Sequence, residues 1–172
     1  MALIRTLRGI TPVIGLECFL AETAVIIGDV KLGKQCTVWY HAVVRGDVNS
    51  ITVGDCSNIQ DGAVIHCTYK RSATTIGKNV SIGHNAIVHG CTIEDDVLIG
   101  MGSIIMDDAV IGNGAFIAAG AVVLQGTKVE PGWLYAGVPA KPVRPVDEKL
   151  REIIDRTAVN YPMYGRWFQD QN

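Results

Sequence analysis

Aliphatic residues recur at six-residue intervals through most of this chain. Val53, Ile59 and Ile65 set the interval, and Ile76, Ile82 and Val88 resume it. One five-residue step leads to Ile93, after which Ile99, Ile105, Ile111, Ile117, Val123 and Val129 continue it. Leu32, Val38 and Val44 extend the phase backwards. Glycine often follows the aliphatic, at positions 54, 77, 83, 100 and 112. A small residue often stands four places after it, as at Ser57, Ala63, Ala86, Ser103, Ala109, Ala115 and Ala121. A period of six is neither the ~3.6 of a helix nor the plain alternation of a strand. It divides into three two-residue pleats with a corner, so each hexad predicts a short strand and a turn. The aliphatic and the small residue point inward, and glycine or a short polar residue suits the corner, where φ is often positive. One such unit cannot bury its inward face alone; a stack of them makes a continuous core.

The stretches that break the period predict other structure. Residues 1–16 read as an extended lead-in in which Pro12 limits ladder pairing. The step from Ile65 to Ile76 is eleven residues, so an outward loop there carries Tyr69, Lys70, Arg71 and Ser72. The segment PGWLYAGVPAKPVRP follows the hexads, and its four prolines are expected to end regular pairing. From Asp147 the spacing becomes helical. Asp147 serves as N-cap, and Leu150, Ile153, Ile154, Thr157 or Ala158, and Tyr161 form an apolar stripe, with Pro162 expected to kink or stop the helix. The organisation is thus a stack of hexads with its lead-in over residues 1–145 and a C-terminal helix packed on it over residues 146–172.

Composition narrows the function classes. The net charge of -2 offers no basic footprint for nucleic acid. No run approaches the ~18 apolar residues of a membrane helix, and the start, MALIRTLRGITPVIG, lacks the apolar core of a signal peptide. Five cysteines at irregular spacing argue for reduced thiols, as in the cytoplasm, rather than a disulfide framework.

The pattern from about Leu20 to Arg144 resembles the hexapeptide-repeat family. That resemblance implies an all-β fold, a left-handed parallel β-helix with three hexads per coil, in exception to the usual right-handed crossover, here with a C-terminal α-helix. On that count the stretch Ile59–Gly90 becomes the centre of interest, because it holds three of the four histidines. Ile65 to Val88 is three hexads, one full coil, so His66 and His89 occupy the same position in adjacent coils, ~4.8 Å apart. That is close enough to share a metal ion. His84 belongs to the hexad of Ile82, on another face, and a second subunit would have to supply it. The count therefore suggests a site between subunits, most simply in a cyclic homotrimer. Arg45 falls on the face of His66 and His89, one coil earlier, with Asp47 nearby. Gln60 and Asp61 lie one coil before Gly83 and His84. Arg45 and Asp47 can equally be read as an inter-subunit ion pair, His41 as structural, and Cys67 and Cys91 as buried small hydrophobes.

RGD at 45–47, NIQDGAVIH at 58–66 and IGHNAIVHGC at 82–91 are together similar to a narrower group, the gamma-class carbonic anhydrase-like proteins. This resemblance implies a trimer with one divalent metal at each subunit interface, bound by His66 and His89 of one chain and His84 of its neighbour. Arg45 and Asp47 match a structural ion pair. Gln60 matches the residue that positions metal-bound water, with Asp61 beside it, and Asn160 and Tyr161 match an Asn-Tyr of related C-terminal helices. The implied reaction is hydration of carbon dioxide to bicarbonate, the metal lowering the pKa of its bound water. Three neutral imidazoles suit zinc first, and also iron(II) or cobalt(II).

The sequence departs from the active members of that group at two places. Val48 follows Asp47 where a glutamate would stand, and the loop after the first histidine is basic, with Lys70 and Arg71, where an acidic one would carry protons out. Two alternatives stay open: an acyltransferase or thioester hydrolase on the same fold, to which the exit segment GVPAKPVR has a likeness, and a non-catalytic metal-binding scaffold.

Overall fold

Each hexad closes as a short strand followed by a turn, and the strands stack in parallel, coil upon coil. Val88 pairs with Ile65 on one side and Ile105 on the other, Ile82 with Ile59 and Ile99, and Ile93 with Ile76 and Ile111. The aliphatics of one turn thus head three stacked columns. The computed structural model, which describes residues 1–169, is a parallel β-helix of roughly seven turns with one C-terminal helix, the left-handed hexapeptide class expected. Two faces of the prism are continuous in one 12-stranded sheet, because the long strands Val25–Leu32 and Val43–Val53 run round the corner between them. The third face is a separate 8-stranded sheet.

The core is the interior of the prism. Ile59, Ile65, Ile76, Ile82, Ile93 and Ile99 are each at most 1% exposed, and Ala63, Ala86, Ala109 and Ala115 fill the narrower corners. Each such isoleucine contributes ~1.5–3 kcal/mol of transfer free energy. At one corner the coils come so close that a Cβ on Gly54 would stand 2.6 Å from the carbonyl carbon of Gly77, which leaves room for glycine alone.

The outward positions differ from face to face. On the face of His66 and His89 they form an aliphatic column, Val43, Val64, Ile87, Ile104 and Val122, none of it fully buried in the single chain. The next face shows Thr52, Thr75, Thr92, Val110 and Lys128 at the corresponding positions, polar but for the one valine. On the third, the C-terminal helix covers a polar row, Thr37, Asn58 and Ser81, each at most 1% exposed. These side chains satisfy one another: Asn58 donates to Ser81 at 2.8 Å, and the Trp39 indole donates to Thr37 at 2.9 Å.

The helix, Glu148–Gln169, begins under the expected cap, with Leu150 N–H donating to Asp147 at 2.9 Å. It buries Ile154, Ala158 and Gly165, and Tyr161 and Phe168 meet Trp39 edge-on. Residues 170–172 of the expected helical segment lie outside the described residues.

Three expectations need correction. Pro162 neither stops the helix nor marks its end; the helix runs through it to Gln169. The aromatic contacts of the following turns hold it, offsetting the single N–H that proline lacks. The exit segment does not end pairing: Trp133–Ala136 adds in parallel to Phe116–Ile117 and then forms an antiparallel pair with Lys141–Pro145. Pro142 and Pro145 sit on that outer edge strand, where a missing donor is tolerated. The lead-in also pairs, Leu3–Arg5 and Val13–Ile14 both adding to Val25–Leu32.

Candidate metal centre

The strands Val64–His66 and Ile87–His89 are in register, and His89 is paired with His66 itself. The two imidazoles stand with Nδ1 of His66 3.1 Å from Nε2 of His89. The other nitrogen of each ring meets a carboxylate. His66 Nε2 lies 2.8 Å from Asp47 Oδ1, and His89 Nδ1 lies 2.5 Å from Asp107 Oδ1. An ionised carboxylate only accepts, so the nitrogen facing it carries the proton and the other keeps its lone pair. The two lone pairs therefore face each other, an arrangement that repels unless a cation or proton lies between them. Two nitrogens each ~2.0–2.1 Å from a tetrahedral ion would stand ~3.3 Å apart. The donor atoms, their spacing and their carboxylate partners thus fit half of a divalent metal site.

Both carboxylates are held ionised. Partial burial would push Asp47 up, but hydrogen bonds from His66 and Arg45 outweigh it and hold the group below the usual carboxylate range. At Asp107 burial is likewise outweighed, by the Thr68 hydroxyl and His89. Arg45 bonds Asp47 within the same chain, so the pair needs no second subunit.

His84 stands in the corner turn after Ser81–Ile82, on the other sheet. Asp61, one coil earlier at the same position in the repeat, places its Oδ2 2.9 Å from the ring's Nδ1, at ion-pair distance. Its Nε2 faces the hydroxyl of Tyr161 at 3.3 Å. Burial, with help from Asp61 and Tyr164, pushes the Tyr161 phenol up to about 12, so it stays a neutral donor. His84, Gln60, Asn160 and Tyr161 all line one groove of about 760 Å³ between the helix and the sheet, walled on its apolar side by Leu98 and Phe116. Gln60 is buried, and its amide donates to Asn58 at 3.0 Å.

One chain therefore gathers the expected residues into two groups. Arg45, Asp47, His66 and His89 form one, and Gln60, Asp61, His84, Asn160 and Tyr161 form the other. Among the described residues, no group of three His, Cys, Asp or Glu in the single chain could hold an ion. Cys67 and Cys91 are buried, Cys67 turned to the Asn49 carbonyl at 3.2 Å and Cys91 pushed up to about 12 by burial. His41 occupies a corner with φ of 61°, its N–H bonded to Thr23. The residue sequence reasoning missed is Asp107. Its signal was available, because Ile105 follows Val88 by one coil and so stacks Asp107 over Gly90.

The family described as bacterial transferase hexapeptide (six repeats) matches residues 90–125. The "Probable carbonic anhydrase" of Methanocaldococcus jannaschii is 54% identical over 83% of this chain and 89% of its own length. Gamma carbonic anhydrase 2, mitochondrial, of Arabidopsis thaliana is 41% identical over 91% of this chain, which spans 59% of that longer protein. The crystal structure of a Bacillus cereus protein, provisionally described as an acetyltransferase, superposes with a TM-score of 0.95 at 37% identity over 99% of both chains.

Proposed function

This chain belongs to the gamma carbonic anhydrase-like branch of the hexapeptide-repeat family, and from that premise we propose that it hydrates carbon dioxide at a divalent metal held between the subunits of a homotrimer. The observation that carries this reading is the split of the site. His66 and His89 turn two lone pairs toward one point, while His84, on another face, has its own carboxylate and one nitrogen left for a ligand. Joining the two halves requires a neighbouring copy, and repeating one such contact closes a ring. The aliphatic column beside His66 and His89 supports that contact, since it is the apolar face a subunit would cover.

In this reading zinc, iron(II) or cobalt(II) would be held by His66 and His89 of one subunit and His84 of the next. The metal would supply Lewis acidity that brings the pKa of water toward neutrality, an effect for which carbonic anhydrase is itself the reference case. The chain's own residues do the rest. Asp47 holds His66 in the ligating tautomer, and Asp61 sets a negative charge beside His84. Gln60, anchored by Asn58, orients the reacting oxygen. Leu98 and Phe116 offer an apolar wall for a nonpolar substrate. A C–O bond forms between water and carbon dioxide, and one proton departs. With Val48 and a basic loop where carboxylates would relay it, that proton passes to buffer. The five free cysteines suit a reducing compartment such as the cytoplasm.

Metal stoichiometry measured beside stopped-flow hydration tests the reading. We expect one ion per subunit and a rate that climbs with external buffer concentration. Absence of metal, or metal without any rate above buffer, would leave the acyl-transfer and scaffold alternatives.

A further inference from the structure

We propose that Asp107 is a positioning residue of the metal centre, one that fixes the tautomer and orientation of His89 and ties both to the loop at Cys67–Ala73. The inference rests on the metal-binding reading above and adds to it a residue and a coupling. Asp107 comes from the coil after His89, and both its oxygens are committed. Oδ1 accepts from His89 Nδ1 at 2.5 Å, and Oδ2 accepts from the Thr68 hydroxyl at 2.6 Å. Thr68 opens the eleven-residue step of the repeat, so one carboxylate joins the outward loop to an imidazole of the site.

Two further observations point the same way. The reach of Asp107 depends on Gly90, where a Cβ would stand 2.3 Å from Asp107 Oδ1 and 2.9 Å from Ser72. Gly90 also has φ of 56°, so any side chain there is both strained and obstructive. The next residue, Asp108, fastens the far side of the same loop, accepting from Ser72 at 2.6 Å and from Arg71 at 3.0 Å. Consecutive aspartates thus pin the loop, and the one turned inward carries its order to His89.

The two carboxylate–histidine pairs are unequal. Asp47 divides its charge between His66 and the Arg45 guanidinium. Among the described residues, Asp107 has only His89 as an ion-pair partner and otherwise binds a neutral hydroxyl. Its charge falls on one ring, which makes His89 Nε2 the stronger donor of the pair. The loop, which carries no carboxylate of its own, acquires a role through Thr68.

The test uses the full-length trimer in three variants, Asp107→Ala, Asp107→Asn and Thr68→Val, with Gly90→Ala as a fourth. Cobalt(II) affinity is measured by chelator competition, and the imidazole tautomers are read by nitrogen-15 NMR on metal-free protein. We expect Asp107→Ala to weaken cobalt(II) binding ~10–100-fold and to release His89 from its Nδ1–H tautomer. Asp107→Asn, which still accepts from the ring, should recover part of that affinity, and Thr68→Val should cost a few-fold. Should the alanine variant fail to fold, the asparagine and valine variants carry the test. Wild-type affinity together with an unchanged His89 tautomer in the folded variants would overturn the proposal. If wild type and His89→Ala bind cobalt(II) equally, the metal reading fails instead, and the metal-free spectra still decide whether Asp107 sets the ring.

Discussion

Tyr161 rests its hydroxyl 3.3 Å from Nε2 of His84, the one nitrogen of that ring its own carboxylate partner does not hold. In the single chain the phenol therefore occupies the place the proposed metal would take, and in that reading it would swing aside as a second subunit brought His66 and His89. Because Tyr161 is pushed up to about 12, it competes as a neutral donor across the working pH range. A neutral hydrogen bond is worth ~0.5–1.5 kcal/mol net. Tyr161→Phe is thus expected to bind cobalt(II) several-fold more tightly than wild type in a competition titration. Weaker binding would mean that the hydroxyl supports the ligated ring rather than competing for it.

His84→Ala separates ligation from assembly. His84 lies in a corner turn and contributes nothing to the prism core, so the variant should sediment as wild type does, while on the proposed reading its metal content falls by most of an equivalent per subunit. His66→Ala and His89→Ala should each do the same from the other half-site. A full complement of metal in His84→Ala would remove that residue from the ligand set.

Much of this arrangement is legible in the sequence because the hexad ties every residue to a column. Counting from Ile65 to Val88 puts His89 over His66, and counting from Ile59 to Ile82 puts His84 over Asp61, as the registers show. Counting fails where side-chain length and direction decide. Asp107 stacks on Gly90, not on His89, and it reaches the ring only by leaning across the space that a glycine leaves open. Tyr161 meets His84 from a helix outside the repeat, so no phase relates them. Pro162 misleads for a similar reason: local propensity argues for a break, whereas packing of Tyr161 and Phe168 on Trp39 decides for continuity. The exit prolines tell against pairing only until it is known that they lie on an edge.

Cys18 offers a test of the first coils. It lies at the repeat position of Cys36 one coil below, since Phe19 pairs with Thr37. A hydrogen bond from Cys36 outweighs burial and draws the Cys18 thiol down to about 7. Cys36 and Cys67 are buried, and Cys91 is pushed up to about 12. Iodoacetamide should modify Cys18 first, at a rate that is half its maximum near pH 7 and levels off above about pH 8.5, where the thiolate is nearly fully formed. A rate still rising steeply at pH 9 would show an ordinary thiol, and with it a looser first coil.

The core columns predict a uniform mechanical cost. Ile82 and Ile99 are fully buried neighbours in one column, each packed between coils above and below. Truncating either to alanine removes three carbons from a site that backbone stacking prevents from collapsing. The loss should reach ~2–5 kcal/mol, read from the denaturant midpoint at constant slope. Because both sit beneath the helix-covered face, the helix should unfold in the same transition. A separate earlier helix transition would show that the helix is held by its aromatic end alone.

The helix cap gives a pH dependence of definite sign. The Leu150 N–H and then Arg144 hold the Asp147 carboxyl below its usual range. A carboxyl lowered in the folded state contributes stability that is complete above the unfolded value, ~4, and is lost as pH falls through the folded one. Wild type should therefore exceed Asp147→Ala in denaturant midpoint at pH 7, and the gap should narrow by pH 3 and close further below it. Asp147 is exposed, so the difference is small and should shrink further in high salt. If the gap at pH 3 equals that at pH 7, the carboxylate charge plays no part, and Asp147 acts on the helix only through its shape.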